Sequence, residues 1–129
     1  MRILMTNARH NEVRDMRNLW ESPHEVKAAS GEKKIASLYK AFKPDAVIMF
    51  ISDMNPEHRG LLEFFRRAHE PHPCVVAVAP FTHFRLINQV LDWGMDAYLV
   101  APCRMLRVKN QIEKLMRERV TAGDRAMAV

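Results

Sequence analysis

His10, Asp53, His58, His83 and Cys103 follow apolar runs of the sequence, where loops at one edge of a sheet would bring them near each other. Imidazole nitrogens and a thiolate are ligands for transition metals. The spacings match no metal-ligand pattern, however, and a chain with 6 histidines must place them somewhere, so scattered surface histidines are the simpler reading. Cys74 and Cys103 form neither a disulfide framework nor a CxxC pair and read as buried thiols in a reducing compartment. With 4 glycines and no GxGxxG or Walker sequence, no loop is built to cradle a phosphate. No cofactor is implied.

The elements that must position these residues alternate regularly. "RILM" is a short apolar strand, and "NEVRDMRNLW" sets Val13, Met16, Leu19 and Trp20 at helical spacing. "HEVKAA" is a weaker strand. "GEKKIASLYKAF" gathers Ile35, Leu38, Tyr39 and Phe42 on one face before Pro44 stops it. "DAVIMFI" and "PCVVAVA" are continuously apolar, as strands buried on both faces of a parallel sheet must be. "EHRGLLEFFRRAHE" is a helix with Leu61, Leu62, Phe65 and Ala68 inward, and "HFRLINQVLDWG" is one that Gly94 ends. "AYLVA" is a fifth strand, and "MLRVKNQIEKLM" turns Met105, Val108, Ile112 and Leu115 inward.

Five strands and five helices in alternation predict a flavodoxin-like, doubly wound (βα)5 domain, a five-stranded parallel sheet in the order 2-1-3-4-5. Residues 1–119 form that domain, and residues 120–129 read as a disordered tail or the start of a linker. Ligands of such folds sit at the carboxyl ends of the strands.

At 129 residues, 48% apolar and 27% charged, the composition is that of a soluble domain large enough for its own core. No apolar run approaches the ~18 residues of a membrane span, and "MRILM" lacks the pattern of a signal peptide, so a cytoplasmic location is expected. The net charge of +5 is uneven: residues 1–100 hold 13 basic and 12 acidic side chains, residues 101–129 hold 7 and 3. A cationic last helix can neutralise phosphates. No recognition motif accompanies it, so nucleic-acid binding by this domain alone is not the favoured reading.

The stretch from "KPDAVIMFI" through Pro56 and Gly60, the apolar strand before "APFTH" and above all "GMDAYLVAP" from Gly94 to Pro102 resemble the receiver domain of bacterial response regulators. The resemblance covers residues 1 to about 118. It implies an acidic pair after strand one, a phosphoacceptor aspartate ending strand three, a hydroxyl ending strand four and a lysine before the proline after strand five, with Mg²⁺ as cofactor and histidine kinases as donors. In this sequence those positions fall at Asn7 and Ala8, Phe50, Ala79 and Ala101. The scaffold positions Pro56, Gly60, Tyr98 and Pro102 are kept, and the peptide bond before Pro102 is expected to be cis. A cobalamin-binding module shares the architecture, but its Asp-x-His-x-x-Gly loop is missing, since "NARHNEV" has His10 without the aspartate and glycine.

Mg²⁺ needs hard oxygen ligands, and phosphoryl transfer needs cations on the transferring oxygens. Only Asp53 lies near, expected beyond the sheet edge and without partners, while Phe50 is expected to fill the acceptor's space. The resemblance thus implies a non-enzymatic pseudo-receiver: a protein-interaction module of bacterial signal transduction. Its partner would be another signalling protein, a fused domain or a second copy. Family members read out through the face of helix four, strand five and helix five, here Arg85, Gln89, Tyr98, Arg107 and Lys114. Tyr98 also reads as a half-buried strand tyrosine packed on helix four. The alternatives are a working receiver that uses a displaced Asp53 and a nucleic-acid-binding regulator that uses the basic fifth helix.

Overall fold

In the computed structural model the described residues are 1–68 and 72–127, with side chains described as far as Val120. The elements are β1 (Arg2–Thr6), α1 (His10–Leu19), β2 (Glu25–Ala29), α2 (Glu32–Phe42), β3 (Ala46–Phe50), α3 (Pro56–Ala68), β4 (Cys74–Ala79), α4 (Phe84–Asp92), β5 (Ala97–Val100) and α5 (Met105–Met127). The five strands form one sheet in the order β2-β1-β3-β4-β5. Every neighbouring pair is parallel. This is the predicted fold.

Strand alternation divides the core in two. Leu4, Val47, Met49, Val75, Ala77 and Ala79 face α2, α3 and α4, where Ile35, Tyr39, Phe42, Leu61, Leu62, Phe65 and Val90 are buried against them. Ile3, Met5, Ile48, Val76, Val78 and Leu99 face α1 and α5, meeting Met16, Trp20, Met105, Val108 and Ile112. Each such side chain taken fully from water contributes roughly 1.5–3 kcal/mol, which fixes the register of β1, β3 and β4.

Local chemistry sets the ends. Lys43 stands in the left-handed region (φ 51°) and returns its N–H to the Tyr39 carbonyl, closing α2 before Pro44. Gly94, at φ 110°, turns the chain out of α4 and into β5. The Ala101–Pro102 bond is cis as expected; Ser22–Pro23 is cis as well, without having been predicted.

Five positions on the expected apolar faces are not fully buried, Leu19 and Leu38 among them, both half-buried. Ala68 is exposed in the last turn of α3, and Val13 and Leu115 are half-buried against the core shared by α1 and α5. The helix α5 is also longer than its apolar periodicity, which stops near Met116. Side chains 121–129, nearly all of the expected tail, lie outside the described residues.

Candidate functional site

A cleft of about 590 Å³ opens at the carboxyl edge of the sheet. Phe50, Ile51, Val78, Pro80, Ala101 and Pro102 give it apolar walls, and Asn7, Arg9, Glu12, Ser52, Asp53, Asn55, Glu57 and His58 supply its polar ones. The parallel sheet explains the place: β1, β3, β4 and β5 all end here.

The cleft corrects the expectation that Phe50 fills the site. Phe50 ends β3 paired with Val78 and is only half-buried, with its inner side packed on the core shared by α1 and α5. Its ring is a wall and leaves the space beside it open.

Val78 and Ala79 face opposite cores. Paired residues of parallel strands share a face, so the side chain on Phe50's side belongs to Val78. Ala79, expected at the hydroxyl position, is fully buried on the opposite core. Valine, like alanine, offers no hydroxyl.

Asp53 is not partnerless. Its Oδ1 accepts the Asn55 N–H (3.0 Å) and lies 3.1 Å from Nε2 of His58. Asn55 in turn accepts the Glu57 N–H at 3.0 Å. The Asp-Met-Asn-Pro run thus satisfies donors ahead of the first turn of α3, which Pro56 opens. The Asn55 N–H first, and then His58, hold the Asp53 carboxyl below its ordinary value. Asp53 is a loop-ordering group already engaged.

Asn7 is equally committed. Its φ is 59°, and its Oδ1 accepts the Gly31 N–H at 3.2 Å, tying the end of β1 to the turn before α2. Ala8 packs on the core beneath α1 and does not line the cleft. The carboxylate of Glu12 accepts the Arg9 backbone N–H at 2.8 Å, capping α1. A Mg²⁺ ion needs several free hard oxygens in near-octahedral array. Phe50 and Ala101 stand nearest the sheet, and the cleft's carboxylates, Glu12, Asp53 and Glu57, form no group of three able to hold a metal among the described residues, so the lining does not fit one.

The histidine cluster that the spacings disfavoured does not assemble. His10 opens α1, His58 lies within α3 and His83 caps α4, its Nδ1 accepting the Arg85 N–H at 3.2 Å. Only Asp53 and His58 meet, and among the described residues no three His, Cys, Asp or Glu side chains could hold a metal ion. Burial pushes the Cys74 thiol up to about 12. Cys103 is half-buried rather than buried and is raised too, mainly by burial.

Gly60 sits inside α3, and a Cβ there would meet nothing within 4 Å, so packing does not require glycine. On the α4–β5–α5 face, Arg85, Gln89, Arg107 and Lys114 are exposed. Phe84 (64%), Val100 (37%) and Leu106 (50%), which the sequence reading passed over, are exposed as well. Tyr98 is half-buried, and its hydroxyl donates to the Phe81 carbonyl at 2.8 Å. That bond fits the packing reading of this residue. Arg9 and Glu12 were also missed; the capping-box spacing of Glu12 after Arg9 was the available signal.

No protein-family model matches the chain, and no curated protein matches it. Solved structures do. A two-component response regulator from Clostridium difficile superposes with a TM-score of 0.72 at 16% identity, over 91% of this chain and 96% of the other. The CheY-like protein TadZ from Pseudomonas aeruginosa gives 0.70 at 16% identity (89% and 98%). The pilus assembly protein CpaE from Caulobacter crescentus gives 0.66 at 19% identity (88% and 98%). The chain therefore has the CheY-like receiver fold. Among the described residues no helix is long and apolar enough to cross a membrane.

Proposed function

We propose that this domain is a phosphorylation-independent pseudo-receiver, a protein-interaction module in bacterial signal transduction. The observation that carries the reading is Phe50 at the end of β3, where a receiver needs its acceptor carboxylate. The groups that would assist transfer are gone with it: Asn7 and Ala8 replace the acidic pair, Val78 has no hydroxyl and Ala101 has no amine. Without a metal or a lysine, charge on a transferring phosphoryl group has nothing to neutralise it.

The surface most suited to a partner is the α4–β5–α5 face. Phe84 and Val100 are exposed on two elements of that face, which also exposes Arg85, Gln89, Arg107 and Lys114, so both apolar and cationic groups are available to a partner. Tyr98 braces that face from beneath through Phe81. The partner is another signalling protein, a fused domain or a second copy, in the cytoplasm. Resemblance to a response regulator and to a pilus assembly protein alike leaves either setting open to such a module.

A second reading, in which a displaced Asp53 accepts phosphate, draws on its place in the cleft and its readily ionised carboxyl. Its bonds to Asn55 and His58 count against it. Incubation with acetyl phosphate and Mg²⁺, read by intact mass, separates the two. No phosphoryl gain is expected; a gain mapping to Asp53 would overturn the pseudo-receiver reading.

A further inference from the structure

At the opposite end of the fold, the last turns of α2 and α3 enclose a recess of about 340 Å³ lined by Lys40, Lys43, Phe64, Arg67 and Ala68. Three of these five residues are cations, and no described acidic side chain lines the recess. A basic residue in a last turn ordinarily complements the helix dipole, which accounts for each one separately. It does not account for three converging on one concave spot with no counter-ion among the described residues. The other cations at this edge are engaged: the Arg2 guanidinium donates to the Phe42 carbonyl, Lys27 lies over the Phe42 ring at 5.0 Å and Arg66 bonds the Gly94 carbonyl. Lys43 and Arg67 are exposed, and neither side chain has an ion pair or hydrogen bond to a described residue.

We propose that this recess between α2 and α3 is a docking site for an acidic segment of a partner protein, separate from the α4–β5–α5 face. The sign follows from charge complementarity: an Asp- or Glu-rich strand or turn can set a carboxylate between Lys43 and Arg67 and lay its stem along Phe64 and Ala68. The aromatic ring argues against nucleic acid. Lys40 Nζ stands over Phe64 at 5.6 Å, and the ring meets Tyr39 and Phe65 edge-on, so no bare platform remains for stacking a base. A single compact recess also lacks the row of cations that tracks a phosphate backbone.

The test uses the whole 129-residue chain and a fluorescein-labelled, Glu/Asp-rich peptide, read by anisotropy at low and moderate salt. An oligo-dT of similar length is run beside it. Binding of the peptide should weaken as salt rises, and the Lys43→Gln/Arg67→Gln double variant should weaken it about tenfold. Both residues are exposed, so the fold should survive, which the Tm verifies. The charge-matched control Lys33→Gln/Lys34→Gln, exposed in the first turn of α2 and outside both proposed surfaces, should change binding little. Equal losses from both variants would mean general charge attraction and overturn the proposal. So would no peptide binding at low salt, or tighter binding of oligo-dT that the recess variant abolishes.

Discussion

His58 reaches back from the first turn of α3 to Asp53, its Nε2 3.1 Å from the carboxylate Oδ1 that also accepts the Asn55 N–H. The aspartate is exposed and the imidazole largely covered, so the pair anchors the loop after β3 to the helix that follows. Asp53→Ala should loosen that loop and lower Tm. Because the folded-state carboxyl is held below its ordinary 3.8, its contribution is present above that value and lost as pH falls through the lower, folded one. The Tm gap between wild type and variant should therefore persist at pH 5 and close in stronger acid. A gap independent of pH would show that the carboxylate's charge is not what holds the loop.

Phe50 stands on a cleft wall with one side still wet, so its loss should cost less than that of a core aromatic. Phe50→Ala should destabilise the domain by roughly 1–2 kcal/mol in urea, below the 3–5 typical of full burial. Phe50→Asp should fold, because the cleft can hydrate the new carboxylate, and should still take no phosphate from acetyl phosphate, since Ala101 and Ala8 remain. Phosphorylation of that variant would mean that the rest of the site survives.

The sheet order and all ten elements were legible because β3 and β4 are continuously apolar and each helix carries one apolar stripe. The place of the cleft was legible too, through the resemblance, since Asn7, Phe50 and Ala101 all line it. What escaped was anything set by side-chain direction or by partly filled space. A one-residue step along β4 exchanges Val78 for Ala79 and moves the side chain to the other core, and local apolarity is the same for both. Whether Phe50 plugs or merely lines a cleft depends on neighbours from four strands. The basic recess needs Lys43 in the left-handed region and Arg67 from another helix, two residues that no linear pattern joins.

Tyr39 and Cys74 should make the fold alkali-sensitive. Burial raises both, Tyr39 from 10.0 to about 12 and Cys74 from 9.0 to about 12. The folded state then keeps protons that the unfolded chain has released, so stability is level below pH 9 and declines between pH 9 and 12. Tyr39→Phe should flatten the upper part of that decline. It should also cost about 1–2 kcal/mol at pH 7, because the Tyr39 hydroxyl donates to the Phe65 carbonyl at 2.7 Å in a dry core. Urea midpoints at pH 7, 9 and 10.5 measure both effects. An unchanged alkaline slope in the variant would assign the loss elsewhere.

Gly94 separates two sources of strain that one substitution would otherwise confuse. Its φ of 110° is one that L side chains rarely adopt, and a Cβ placed there would meet the guanidinium of Arg66, which bonds the Gly94 carbonyl. The guanidinium is the far end of a flexible side chain and can move aside, whereas the backbone cannot relax without shifting β5 against β4. Gly94→Ala should therefore cost about 1–2 kcal/mol, most of it conformational. In a double-mutant cycle, Arg66→Ala should recover only a small part of that loss. If Arg66→Ala restored full stability to Gly94→Ala, the constraint would be the contact and not the turn. Residue 94 could then tolerate a side chain wherever residue 66 is small.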